Sequence, residues 1–303
     1  MKKIVVIGSL NADFVVNVSH MPVVGETVLA KDFELIPGGK GANQAYALGR
    51  LGADVTILGA VGDDGYGKLL LGNLENAGVN VSQVGVVPGA NTGMAIVTVN
   101  KDGNNSIVVV QGANALVSKE YIDSKRSVIG QSDIVVLQLE IPAETVIYAA
   151  KLAKELHKTV ILDPAPAVRG LPKELFENVD IIKPNETELS ILSGIDRAEE
   201  RLEDATGILK KAGARCVIVT LGNKGVYLSP PDKEARIIEA EPVRVVDTTA
   251  AGDAFTAALA FGLSRGNTLR SSALFANHVS SIVVTRKGAQ TSIPTLQEVM
   301  QQS

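Results

Sequence analysis

Short runs of Val, Ile and Leu alternate along this chain with stretches whose apolar residues recur at helical spacing. The runs are Lys3–Ile7, Val55–Ala60, Ile134–Gln138, Thr159–Leu162, Ile181–Lys183 and Val217–Thr220. The helix-like stretches between them include Gly41–Leu51, Gly67–Ala77, Ala143–Leu156 and Asp204–Ala212. Continuously apolar strands alternating with helices predict an α/β fold: a mostly parallel sheet covered by helices on both faces. Ligands of such sheets sit beyond the carboxyl ends of the strands.

Two regions break the rhythm. Asp13–Val18 reads as a strand with no helix after it, and Thr27–Ile36 continues extended. Met94–Val99 and Ser106–Gln111 flank Asn100-Lys101-Asp102-Gly103-Asn104-Asn105, a hairpin signal. Segments at about 11–18, 27–37, 94–99 and 106–111 are expected to form a small antiparallel sheet, read either as ordinary edge strands or as a lid that shields a phosphoryl donor from water. No linker marks a boundary, so residues 1–303 are taken as one domain.

Composition narrows the class. With 46% apolar and 20% charged residues, the chain has the balance of a soluble globular protein. A net charge of −4 and the lack of a basic block argue against nucleic-acid or membrane partners. The apolar run after Met1-Lys2-Lys3 is short for a signal segment and reads as a first strand. The single cysteine, Cys216, lies in an apolar run, and the chain is read as cytoplasmic.

The chemistry concentrates at three glycine- or small-residue turns. In Val245-Val246-Asp247-Thr248-Thr249-Ala250-Ala251-Gly252-Asp253-Ala254, two β-branched residues are read as a strand end, followed by a small-residue turn and a helix. Unpaired N–H groups at a helix start bind anions, and Ala250, Ala251 and Gly252 let one approach closely. Asp253 is placed to take a proton from an attacking hydroxyl, so the turn suggests phosphoryl transfer to an alcohol; tight packing and dipole compensation are the plainer reading. Gly38-Gly39-Lys40-Gly41-Ala42-Asn43 opens a second helix without the spacing of a phosphate-binding P-loop. Asn11 and Asp13 follow the first strand and offer polar groups to a polyhydroxylated ligand, or simply make a turn. Asn185 and Glu188 have the spacing of a capping box.

Taken together, Gly39-Lys40-Gly41-Ala42-Asn43 near one end and Asp247-Thr248-Thr249 with Ala251-Gly252-Asp253 near the other closely resemble the ribokinase family of sugar kinases, the PfkB-type carbohydrate kinases. The resemblance runs from the first strand to Pro294 and includes Gln138-Leu139-Glu140, Pro164-Ala165-Pro166-Ala167, Lys183-Pro184-Asn185-Glu186-Thr187-Glu188 and Thr285-Arg286-Lys287-Gly288-Ala289-Gln290. It implies phosphorylation of D-ribose at O5 by Mg-ATP, with 2-deoxyribose, fructose or a nucleoside as alternative acceptors and a non-catalytic sensor as the remote one. It also implies sugar contacts from Asn11, Ala12, Asp13, Gly39, Lys40, Gly41, Ala42, Asn43 and Glu140, with Asp253 as base and Ala250, Ala251 and Gly252 as an anion hole. Many relatives carry Gly where this chain has Ala250, though the ribokinase branch often has Ala. The resemblance gives the nucleotide side to Asn185, Thr220, Leu221, Gly222, Asn223, Lys224, Gly225, Gly252, Asp253 and Asn277, with magnesium ordered indirectly by Asn185 and Glu188. A monovalent cation, potassium, is implied at Asp247, Thr249, Val283, Arg286, Gly288 and Ser292, with Val283 and Arg286 acting through their carbonyls. A homodimer through the small sheet is the implied assembly, its apolar face expected to include Val16, Val18, Val97 and Val109.

Overall fold

The computed structural model describes residues 1–231 and 233–302. Its main sheet has the strand order Arg236–Ile238, Val226–Ser229, Cys216–Thr220, Ile181–Ile182, Thr159–Leu162, Ile134–Leu137, Ile4–Ile7, Val55–Leu58. The six strands from Cys216–Thr220 to Val55–Leu58 pair in parallel, and Val226–Ser229 and Arg236–Ile238 add an antiparallel edge. The apolar runs are fully buried because alternate residues feed two separate cores. Ile4, Val6, Ile134 and Val136 face one, while Val5, Ile7, Val135 and Leu137 face the other.

The run read as Val55–Ala60 divides at Gly59. Val55–Leu58 stays in the main sheet, and Ala60–Gly62 pairs with Gly85–Val87 instead. A Cβ at residue 59 would stand 2.5 Å from the Gly8 carbonyl, so only glycine lets the chain pass that crossing.

The small sheet has the order Asp32–Gly38, Asn11–Asn17, Gly93–Val99, Asn105–Val110. Its outer pairs are antiparallel and its central pair is parallel. The second strand begins at Asp32, so residues 27–31 lie outside it. The Lys31 N–H to Asn17 carbonyl bond, 2.7 Å, is the last rung before the chain turns away through exposed Leu29. The expected apolar set does not share one face. Register puts Asp13, Ile36, Ala95 and Val109 on one side of the pleat, and Phe14, Leu35, Ile96 and Val108 on the other. Val16 and Val97 therefore point to opposite sides, and Val18, past the strand end, is buried. The exposed apolar surface is instead Ile107–Val110, with Ile96 and Phe33.

Val245 and Val246 are not a strand. Both are exposed, and the Val246 and Asp247 N–H groups donate to the Val284 carbonyl at the end of the helix Leu269–Val283. β-branched pairs favour extended backbone wherever they sit, and here no neighbouring strand is available to them. No helix among the described residues is long and apolar enough to cross a membrane. Cys216, within its apolar run, is buried.

Candidate active site

The site is assembled where the carboxyl ends of the parallel strands meet two helix N-termini. Helix Ala251–Ser264 is almost wholly buried and packs against helix Lys40–Arg50. Its first intrahelical bond runs from Ala254 N–H to the Ala250 carbonyl, 2.8 Å, so the N–H groups of Gly252 and Asp253 precede the ladder and point outward. The Ala251 N–H is already taken by the Thr248 carbonyl at 3.2 Å, so of the expected anion hole only part is free for a ligand. Ala250 holds a left-handed backbone, φ 60°, to start the helix. That conformation costs a Cβ-bearing residue about 1–2 kcal/mol, against which glycine's extra unfolded freedom returns roughly 0.5–1 kcal/mol. Ala250→Gly is therefore expected to stabilise the fold by up to about 1 kcal/mol, read as a Tm rise of about 1–3 °C; a fall in Tm would contradict the strain argument.

Asp253 is buried in the first turn of its helix. Asn43 Nδ2 donates to its Oδ2 and Gln44 Nε2 to its Oδ1, both at 3.0 Å. Burial pushes its carboxyl up and Asp163 adds to this, while Lys40 and the two amides pull the other way; the net direction is upward. The Lys40 ammonium is drawn down by burial but held up, on balance, by Asp253, Asp163, Glu140 and Glu188. Asp163 and Lys183, directly after their strands, form a buried ion pair at 2.9 Å, with side chains 2% and 4% exposed. Asp163 Oδ2 also accepts from Gln44 and Thr256, and its Oδ1 has no protein partner. Neither Asp163, Lys183 nor Gln44 was singled out as a site residue from the sequence. The available signal was their place: a charged residue following a parallel strand at its carboxyl end.

A cavity of about 740 Å³ opens from Lys40, Asp163 and Asp253 along Asn185, Glu188, Thr220, Gly222, Asn223 and Gly225 to Asn277. Leu221 and Lys224 do not line it. Leu221 is buried in the core under the turn, and Lys224 is exposed. Gly225 has φ 94°, and a Cβ there would meet the Ile238 carbonyl at 2.0 Å. Asn277 Nδ2 donates to the Glu239 carbonyl, 2.8 Å, fixing its side chain at the far end. Asn185 and Glu188 do form the capping box: each side chain accepts the other's backbone N–H at 2.8 Å. The Glu188 carboxyl is nonetheless pushed up, by burial and then by Asp163.

On the other side of Asp253 lie the small-sheet residues. Asn11 Oδ1 accepts from Asn114 Nδ2 at 2.8 Å, leaving its own amide hydrogens for a ligand. Ala12 points to the opposite face from Asp13, as the pleat requires, so the two side chains do not face the same ligand. Gly39, φ 86°, is packed so tightly that a Cβ would be 2.8 Å from the Asn11 N atom. The Gly41 and Ala42 N–H groups donate to Ser9, at 3.3 and 2.8 Å, and serve the fold rather than a ligand. Glu140 Oε2 accepts from Ser9 Oγ at 2.5 Å and from the Lys40 N–H at 2.9 Å, capping the helix Lys40–Arg50. Asn43 is engaged at both ends, its Oδ1 accepting from Gln290 at 3.0 Å.

Asp13 is pushed up to about 7, by burial first and then by Glu140 and Asp253. The folded state then binds more protons than the unfolded one between the ordinary carboxyl range and pH 7, so stability falls as pH rises through that window. Asp13→Asn is expected to raise Tm at pH 8 and to leave it nearly unchanged at pH 3, below the ordinary aspartate value of 3.8, where the side chain is mostly protonated in both states. Equal Tm effects at both pH values would refute the burial argument.

The late loop closes against the Asp247 turn. Asp247 Oδ1 accepts from the Thr249 N–H at 2.9 Å and its hydroxyl at 2.7 Å; Oδ2 accepts from the Gly288 N–H at 2.9 Å. These bonds hold its carboxyl below the ordinary range although burial opposes them. The Val283 carbonyl takes the Arg286 N–H at 3.0 Å, and the Arg286 side chain turns away to Glu298. Ser292 Oγ donates to the Ala289 carbonyl, 2.6 Å, and is committed to its own turn.

The profile of the pfkB family carbohydrate kinases matches residues 1–296. The chain belongs to that family. It is an enzyme of the kinase class, and its relatives include ribokinases and deoxyribokinases. The ribokinase of Haemophilus influenzae is 40% identical over 301 residues, spanning 99% of this chain and 98% of that protein. A deoxyribokinase of Salmonella typhi is 37% identical over 296 residues, spanning 97% and 96%. The structure of Arabidopsis thaliana ribokinase complexed with ribose and ATP superposes with a TM-score of 0.92 at 37% identity, covering 99% of this chain and 98% of that one. The resemblance inferred from the glycine turns and the fold expected from the apolar runs both hold.

Proposed function

We propose that this pfkB-family kinase transfers the γ-phosphoryl group of Mg-ATP to O5 of D-ribose. The observation that carries the reading is the position of Asp253. One buried carboxylate stands at an anion-attracting helix start, ends a cavity of about 740 Å³, and lies within electrostatic reach of Asp13 on the small-sheet side. ATP occupies the cavity, from Asn277 to the Gly222–Gly225 turn, with its phosphates towards Lys40. Ribose sits between Asn11, Asp13, Gly39 and the free oxygen of Glu140. Asp253 takes the proton from the primary hydroxyl as it attacks, the Gly252 and Asp253 N–H groups meet the charge developing on the transferred oxygens, and Lys40 adds its positive charge there. The small sheet acts as the lid that excludes water.

The residues fit a divalent ion near the phosphates. Asp163 Oδ1 is a buried oxygen without a partner, and Glu188 has a carboxyl raised by its surroundings, which a cation would relieve. Glu188 and Asn185 would hold magnesium through water; bound there, it neutralises phosphate charge. The Asp247 turn and the late loop offer only oxygen donors, a carboxylate with carbonyls, which suits potassium. Three predicted members, the Asp247 carboxylate, the Ser292 hydroxyl and the Val283 carbonyl, already have protein partners. Use of ATP fits a cytoplasmic enzyme.

The exposed strand Ile107–Val110 favours a homodimer joined through the small sheets. Light scattering at micromolar concentration is expected to give the mass of two chains, and a monomer would defeat this assembly. Phosphorus NMR of the product tests the chemistry: D-ribose 5-phosphate is expected, and phosphate on any other oxygen would overturn the reading. The identity to deoxyribokinases favours 2-deoxyribose as the second acceptor to test.

A further inference from the structure

We propose that Gln44 is a positioning residue that aims the Asp253 carboxylate and locks it to the Asp163–Lys183 pair through a single amide. The proposal rests on the reading of Asp253 as the base. Gln44 is fully buried, one residue past the glycine turn that opens its helix with Asn43. Its Nε2 carries two hydrogens, and the structure gives each a carboxylate: Asp253 Oδ1 at 3.0 Å and Asp163 Oδ2 at 3.0 Å. Its Oε1 accepts from Gln138 Nε2 at 2.6 Å. The amide orientation is thereby fixed, since a flip would aim a carbonyl at two acids.

Packing alone does not call for this arrangement, because an apolar side chain of the same length fills the space without burying an amide. What an apolar side chain cannot do is stand between two buried carboxylates. The charged groups facing Asp253 are Lys40 from the same helix as Gln44, Asp163 and Lys183 from the strand ends, and Asp13 from the small sheet. Of these, Lys183 is spent on Asp163 and the Gly252 carbonyl, at 2.9 and 3.4 Å. Gln44 is thus the link through which the ion pair fixes where the Asp253 Oδ1 atom lies, while Asn43 fixes Oδ2. A carboxylate held at both oxygens presents a defined lone pair to the substrate hydroxyl, and misplacement by an ångström costs about 10²-fold in rate.

The test compares Gln44→Met and Gln138→Met with the unaltered enzyme, measuring kcat and KM for ATP across pH 5–9 alongside Tm. Gln44→Met is expected to lower kcat about 10²-fold with KM for ATP within about threefold. The acid limb of its kcat profile should move to higher pH, because the lost donor no longer favours ionised Asp253. Gln138→Met, which removes only the partner fixing the amide, is expected to move kcat and the limb the same way by less, and it decides the matter if Gln44→Met does not fold. Profiles that keep the original limb in every folded variant would reduce Gln44 to core packing and overturn the proposal. Asp253→Asn, run in parallel, separates the two readings. If it retains turnover, the base assignment fails; if it is inactive while the glutamine variants keep the original limb, only the positioning role fails.

Discussion

Asp253→Asn is expected to lower kcat by about 10²–10⁴-fold while KM for ATP and for the sugar changes by no more than severalfold. The substitution keeps the side chain's shape and one acceptor oxygen but removes the carboxylate proposed as the base. The expectation follows from the site's construction. The carboxylate is buried at the end of the cavity and held by Asn43 and Gln44, and its surroundings raise its proton affinity towards what an alcohol proton requires. Steady-state kinetics on the purified variant, with Tm as the control for folding, measures it. A loss below tenfold with sugar affinity intact would show that the proton leaves by another route and that Asp253 serves only the helix dipole.

Lys183→Met is expected to destabilise the fold by about 3–5 kcal/mol, among the largest losses a single change can cause here. Asp163 and Lys183 are both almost inaccessible, so removing the ammonium leaves a carboxylate deep in the structure with only Gln44 and Thr256 as donors. Urea unfolding should show a lower midpoint at an unchanged slope. Adding Asp163→Asn to Lys183→Met should restore much of the loss, because the uncompensated charge, rather than the missing contact, carries most of the penalty. A double variant no more stable than Lys183→Met would contradict this. Activity need not recover in the double variant, since the pair also adjoins Gly252 and, through Gln44, Asp253.

Much of the architecture was legible in the chain because its signals are local. Fully apolar runs such as Ile134–Leu137 are strands of a parallel sheet under any arrangement that buries both faces, and the glycine turn before residue 40 and the small-residue turn before residue 251 mark where helices begin. The same local logic misled where burial was not local information. Val245-Val246 has strand composition but no neighbouring strand, and residues 27–30 form no strand. Val18 and Val97 were grouped with Val16 and Val109 because residue type does not reveal register, and only the pairing of Val15 with Val97 assigns the faces.

The site shows the same division. Asp253 and Lys40 stand out because each occupies a distinctive turn. Gln44, Asp163 and Lys183 do not, since Gln44 meets Asp163 and Asp253 across 119 and 209 residues of sequence. A buried polar residue in an apolar helix has no local signature of the charges it will meet. Gly41 and Ala42 illustrate the converse: they lie within a functional motif, yet their N–H groups hold Ser9 and build the turn instead of reaching a ligand. Glu140 lies within the same set of motifs, and its Oε2 caps the helix that carries Lys40 while also holding Ser9.

The measurement that tests the central claim most directly is ADP release with Mg-ATP against D-ribose, 2-deoxyribose, fructose and adenosine, each in potassium and in sodium buffer. Turnover selective for D-ribose and raised by potassium is the predicted result. Higher kcat/KM for 2-deoxyribose, or for either of the other acceptors, would contradict the assignment of Asn11, Asp13 and Glu140 to ribose, and no turnover with any acceptor would contradict the kinase mechanism built on Asp253.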